Sequence, residues 1–178
     1  GFLREGDKIT ITFGDRSGGS PGMRLQTFCE DSYEFHTLID PIATYCYQPM
    51  PVQPEIKIIP GKPARYLAVA PTIRAIDESF SIKFKGEDKW GNPSDQCDIQ
   101  LYPHARHPVK NLPNMISLKP GDFFGVIEGL LVADAADLHI DFLDDAGVVM
   151  CRTNPIRIEP APLSRHFWGD LHGQSEET

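Results

Sequence analysis

Near the end of the chain, in FWGDLHGQS, Asp170, His172 and Gln174 stand at positions i, i+2 and i+4. An extended strand turns alternate side chains to one face, so this spacing would line up a carboxylate, an imidazole and an amide. Three oxygen and nitrogen donors in a row suit a hard or borderline divalent cation, with His172 the firmest ligand. Active groups at the C-terminal end of a strand also suit a (β/α) barrel. A polar tail after the last strand of a β domain accounts for the same residues without a metal, and spacing alone leaves both readings open.

Other polar groupings carry less chemistry. His104 and His107 share the proline-bounded run PHARHP, which reads as a loop and offers no third ligand. Asp137, His139 and Asp141 alternate with Leu138, Ile140 and Phe142, as on the solvated side of a half-buried strand. The glycine-rich GDRSGGSPG, Gly14 to Gly22, leads into MRLQTF rather than into a helix. A phosphate cradle needs that helix N-terminus, so the run is expected to be a plain loop. Cys29, Cys46, Cys97 and Cys151 show no C-x-x-C spacing, which argues against a zinc ribbon or a redox pair. Each is flanked by strand-like residues and is expected to be a small, buried, unpaired thiol.

The elements that must position these groups are strands. KITITFG puts Ile9, Ile11 and Phe13 on one face, and SFSIKFK does the same with Phe80, Ile82 and Phe84. EIKIIPG, YLAVAPT, CDIQLYP and LHIDFLD read alike. Sixteen prolines and fifteen glycines interrupt the pattern too often to leave room for helices. In GDFFGVIEGLLVADAADLH the apolar spacing also fits a helix, but Gly121, Gly125 and Gly129 would each cost about 1 kcal/mol in a helix interior. A strand is expected there. EDKWGNP, with Gly91 and Asn92, reads as a hairpin turn, and DDAG as a tight turn into VVMC.

The fold class that follows is all-β: an antiparallel, immunoglobulin-like β-sandwich with a smaller β segment before it. Pro60, Gly61 and Pro63 mark a break, giving a β segment over 1–60, a sandwich over 61–163, and a linker and further strand over 164–178. The opening on a half-built strand carries the expectation that sequence precedes Gly1.

A net charge of −8, with the Lys and Arg scattered, gives no footprint for a phosphate backbone, and no nucleic acid partner is expected. No apolar run reaches the ~18 residues needed to cross a bilayer. The start GFLREGDK lacks the apolar core of a signal peptide. No membrane partner is expected.

WGDLHGQSEET, together with GDKITITFGDRSGGSPGMRLQTF, EDKWGNP and TNPIRI, resembles the N-terminal half of a bacterial family known as domain of unknown function 3604. Members of that family are similar to PHP (polymerase and histidinol phosphatase) metallohydrolases, whose barrel opens with a strand bearing an H-x-H pair of metal ligands. The resemblance places the first histidine of that pair at His172 and the second at Gln174, a departure that weakens the second ligand and throws weight on Asp170. It implies a downstream catalytic domain of the same chain that holds a divalent metal, zinc, manganese or iron. Residues 1–178 are then a non-catalytic accessory region, with no cofactor and no catalytic residue of their own. Two other readings stand beside it. One is a carbohydrate- or protein-binding module, with Tyr45, Tyr47, Phe123 and Phe124 as an aromatic platform. The other is a structural or dimerisation domain.

Overall fold

The computed structural model describes residues 4–164. Asp170, His172 and Gln174 lie outside the described residues. Two compact units divide the chain, Gly1–Pro60 and Gly61–Thr178.

Among its described residues the first unit holds four short strands, β1 (Glu30–Glu34), β2 (Leu38–Ile39), β3 (Gln48–Pro49) and β4 (Glu55–Ile58). β1 pairs antiparallel with β4, and β2 with β3. Few apolar side chains are covered here; the clearest packing is Phe13 stacked on Phe35 at 4.4 Å, with Tyr33 edge-on to Phe35 at 5.3 Å. The expected strand at KITITFG does not form. Residues 8–13 join no ladder, and Ile9 and Ile11 are each 67% exposed. Alternation alone does not make a strand: Phe13 finds a ring to stack on, but the run has no neighbouring strand to take its backbone hydrogen bonds.

The second unit is a β-sandwich. Its strands are β5 (Arg65–Val69), β6 (Ile73–Ala75), β7 (Phe80–Glu87), β8 (Ile99–Ala105), β9 (Ile116–Leu118), β10 (Gly125–Leu130), β11 (Ala136–Leu138), β12 (Ile140–Leu143), β13 (Val149–Arg152) and β14 (Ile156–Glu159). They form three sheets, in the orders β10-β7-β5, β13-β12-β8-β9 and β11-β14-β6. Every pairing is antiparallel except β6 with β14. No helix occurs among the described residues.

Period-two alternation decides what is inside. Phe80, Ile82 and Phe84 of β7 turn inward and meet Leu101 of β8, Ile140 and Phe142 of β12, and Ile156 and Ile158 of β14 in one core. Phe84 and Phe142 stack across the two larger sheets with centroids 6.1 Å apart. Opposite Phe84, at Gly125 of β10, the phenyl ring occupies the space a Cβ would need.

Several local expectations are refined. LHIDFLD is two strands: β11 pairs with β14, and after His139 the chain changes sheet so that β12 pairs with β8 and β13. Thr153 Oγ1 accepts the Ile140 N–H at 3.0 Å where the chain crosses over. The PHARHP loop is corrected in part, since Pro103 and His104 belong to β8, with Pro103 opposite Phe142 and His104 opposite Asp141. EDKWGNP does turn back, with an Asp88–Asn92 hydrogen bond of 2.9 Å, a Glu87–Pro93 bridge, and φ +93° at Gly91. The chain then leaves for β8 in the other sheet.

All four cysteines are free. Cys97 is buried, Cys29 and Cys151 are half-buried, and Cys46 is exposed, so the expectation of burial fails at Cys46. Burial pushes the Cys97 thiol up, and burial together with the charge of Asp141 pushes Cys151 up to about 11. Thiolate is the reactive form. An aromatic disulfide reagent at neutral pH is therefore expected to label Cys46 promptly and Cys97 and Cys151 only in denaturant. Prompt labelling of Cys151 in the folded protein would contradict this packing.

Candidate functional site

Ion pairing accounts for much of the acidic chemistry of the sandwich. On β7, Glu87 is buried yet accepts from Arg65 Nε at 2.8 Å and Arg65 Nη2 at 2.6 Å, and from Lys85 Nζ at 2.8 Å. Burial acts to raise its pKa, but the Lys85 and Arg65 contacts outweigh it and hold the carboxyl below its ordinary value. Asp141 is bound by Arg152 from the neighbouring β13. That hydrogen bond is the main reason its pKa is lowered, with smaller contributions from the charges of His139 and His104. Asp137 pairs with Arg157 across β11 and β14 at 3.0 Å.

The expected single face of Asp137, His139 and Asp141 is divided between two sheets, Asp137 on β11 and Asp141 on β12. Each aspartate is paired with an arginine of the neighbouring strand, Asp137 on an open surface and Asp141 largely covered. His104 is brought opposite Asp141, while His107 lies beyond the end of β8. Among the described residues no group of three His, Cys, Asp or Glu side chains is placed to hold a metal ion.

Asp88 organises the loop between β7 and β8. Its carboxylate accepts from the backbone N–H groups of Trp90 (2.8 Å), Asn92 (3.0 Å) and Gly61 (3.1 Å), and from Asn92 Nδ2 (2.9 Å). Burial pushes its pKa up, and these four donors more than reverse that, to about 2. Ser94 Oγ donates to the Gly61 carbonyl at 2.7 Å, so both polar groups of Gly61 are tied to this loop.

A groove of about 570 Å³ lies on the outer face of the β10-β7-β5 sheet. Its floor follows from register. Leu67 lies opposite Lys85 and Val69 opposite Lys83, while Val126, outside the lining, flanks Lys83 on the other side. Lys83 therefore stands between two valines, its aliphatic stem flanked by them and its ammonium free to reach water. Phe123 and Phe124, just before β10, form one wall, and Pro93 lies on the lining too. The lining holds two lysines and no carboxylate.

Of the four aromatic residues expected to form a platform, the structure places Phe123 and Phe124 together in this groove, with Phe124 62% exposed. Tyr45 and Tyr47 are exposed in the other unit. Sequence reasoning missed the lysine rungs and the part played by Leu67 and Val69. The signal was present in YLAVA, a run apolar on both faces, which is the mark of a strand covered on both sides. A sugar is oriented by fixed hydrogen-bond donors and acceptors, and this lining of carbon and two ammonium groups supplies few.

Compared with known proteins, the chain matches no family model and no curated protein.

Proposed function

We propose that this chain is a non-catalytic, immunoglobulin-like accessory region of a PHP-like metal-dependent hydrolase. Its catalytic domain would follow in the same polypeptide and would begin at the Trp168–Ser175 run. The observation that carries this reading is the division of labour among polar side chains. Glu87, Asp88, Asp137 and Asp141 hold strands and a loop together. The metal-donor pattern falls instead on Asp170, His172 and Gln174, later in the sequence than β14. The divalent ion, zinc, manganese or iron, would supply an activated water. The chain's own part would be to present His172 as a neutral imidazole, with Asp170 two residues before it on the same strand face and Gln174 as a weaker amide donor.

The test uses the protein extended past Thr178. His172→Ala is expected to lose most of its bound metal by plasma mass spectrometry, and Gln174→Ala much less, because water replaces an amide more readily than an imidazole. Gln174→His is expected to retain or raise metal content. Unchanged metal in His172→Ala would remove residues 170–174 from any metal site. Chelator-sensitive hydrolysis by residues 1–178 alone would overturn the accessory reading.

A further inference from the structure

The groove over β5, β7 and β10 is absorbed by neither the core nor the ion-pair rows. We propose that it is the docking surface for an acidic, apolar segment of a protein partner. Aliphatic side chains of that segment would cover Leu67, Val69 and Phe124, and its carboxylates would meet Lys83 and Lys85.

Three observations choose this occupant. The first is charge. Arg65 and Lys85 share one carboxylate, Glu87, and Lys83 makes no ion pair among the described residues. Three cations on these rungs are thus answered by one anion, in a chain whose net charge is −8. A locally positive apolar strip on an acidic protein is complementary to a negative apolar partner.

The second is the two-faced apolar character of β5. Ala68 is buried in the core, yet Val69 on the opposite face is 60% exposed. A sheet face built this way is one that another surface covers. The third is shape. With Val69 and Phe124 more than half exposed, the trough is too open to enclose most of a small ligand, whereas a polypeptide brings its own cover. A second copy of this chain is disfavoured, because a two-fold contact through this face would set its lysines against themselves.

The experiment titrates the 178-residue chain into two fluorescein-labelled peptides, one alternating leucine with glutamate and one alternating leucine with lysine. Anisotropy is followed at low and at physiological salt. The glutamate peptide is expected to bind roughly tenfold or more tightly than the lysine peptide, with the difference shrinking as salt rises. Phe124→Ser should weaken the glutamate peptide, and Lys83→Glu should reverse the preference. Both replaced side chains are on the surface, and an unchanged melting temperature establishes that each variant is folded.

Saturable binding with reversal by Lys83→Glu supports the proposal. Absence of saturable binding overturns it, as does equal binding of both peptides or a preference indifferent to Lys83→Glu. Dodecanoate binding tighter than the glutamate peptide would overturn it in favour of a small anionic amphiphile. A sedimenting dimer dissociated by Phe124→Ser would overturn it in favour of self-association.

Discussion

Gly125→Ala is expected to destabilise the sandwich by about 3 kcal/mol. A Cβ at this position would lie 2.2, 2.6 and 2.9 Å from Cζ, Cε1 and Cε2 of the Phe84 ring, well inside van der Waals contact. The ring has little room to retreat. It is held in the core on β7 and stacked against Phe142, which is fully buried. Either β10 shifts away from β7 or the ring leaves its rotamer, and each disturbs the contact between the two main sheets. A fall in melting temperature of roughly 10 °C or more is the expected reading for a unit of this size. Phe84→Leu removes the offending ring at the cost of a smaller core. The double variant should therefore be more stable than the sum of the two single losses predicts, with a coupling of roughly 1 kcal/mol or more. Strict additivity in chemical denaturation would show that the ring and Gly125 are not in conflict.

Asp88→Ala is expected to cost about 3 kcal/mol, because four donors lose a charged acceptor and are only partly rehydrated. Asp88→Asn should recover part of this, since an amide oxygen accepts hydrogen bonds but its NH₂ opposes nearby N–H groups. The same carboxylate gives a pH dependence whose sign is fixed. Its pKa in the folded chain, about 2, lies below the ordinary 3.8. The stabilisation is fully present above the unfolded value and is lost as pH falls through the folded one. Wild-type stability should decline on acidification between those values, and the decline should be shallower in Asp88→Ala. Identical acid profiles for the two proteins, measured by urea denaturation, would refute the role given to Asp88.

Strand identity was legible wherever alternation and a sheet neighbour coincided. SFSIKFK, with Phe80, Ile82 and Phe84 inward, reads directly as β7. KITITFG shows the same alternation and forms no strand, because pairing is a property of the neighbour and not of the run itself. The ambiguous Val126–Leu131 stretch has a physical explanation. A β-bulge between Ile127 and Leu130 lets two residues three apart both face inward, which imitates a helical spacing inside a strand. Sheet exchange at His139 was invisible for a related reason: Leu138 and Ile140 stay inward across the change, so the hydrophobic pattern does not mark it.

The candidate groove was legible only in part. Residue type alone groups Phe123 and Phe124 with Tyr45 and Tyr47, and type does not tell which of them share a surface. Rungs such as Val69, Lys83 and Val126 are assembled from three strands, and their register comes from pairings that no single stretch encodes. Asp88 was hidden in the same way. In sequence it is one acid in EDKWGNP, and its contact with Gly61 spans 27 residues.

The parallel pairing of β6 with β14 has a consequence for the order in which the sandwich is completed. Ala70 and Asn154, 84 residues apart, are joined by a hydrogen bond beside that pairing, so the third sheet closes only when β14 arrives. Contacts this distant in sequence slow folding, because the chain gives up its freedom before the contact rewards it. During translation, at roughly 5–20 residues per second, β6 waits on the order of ten seconds for its partner to emerge. Until then Ile156 and Ile158 are missing from the core, and one edge of the nascent domain stands open to pairing with other chains.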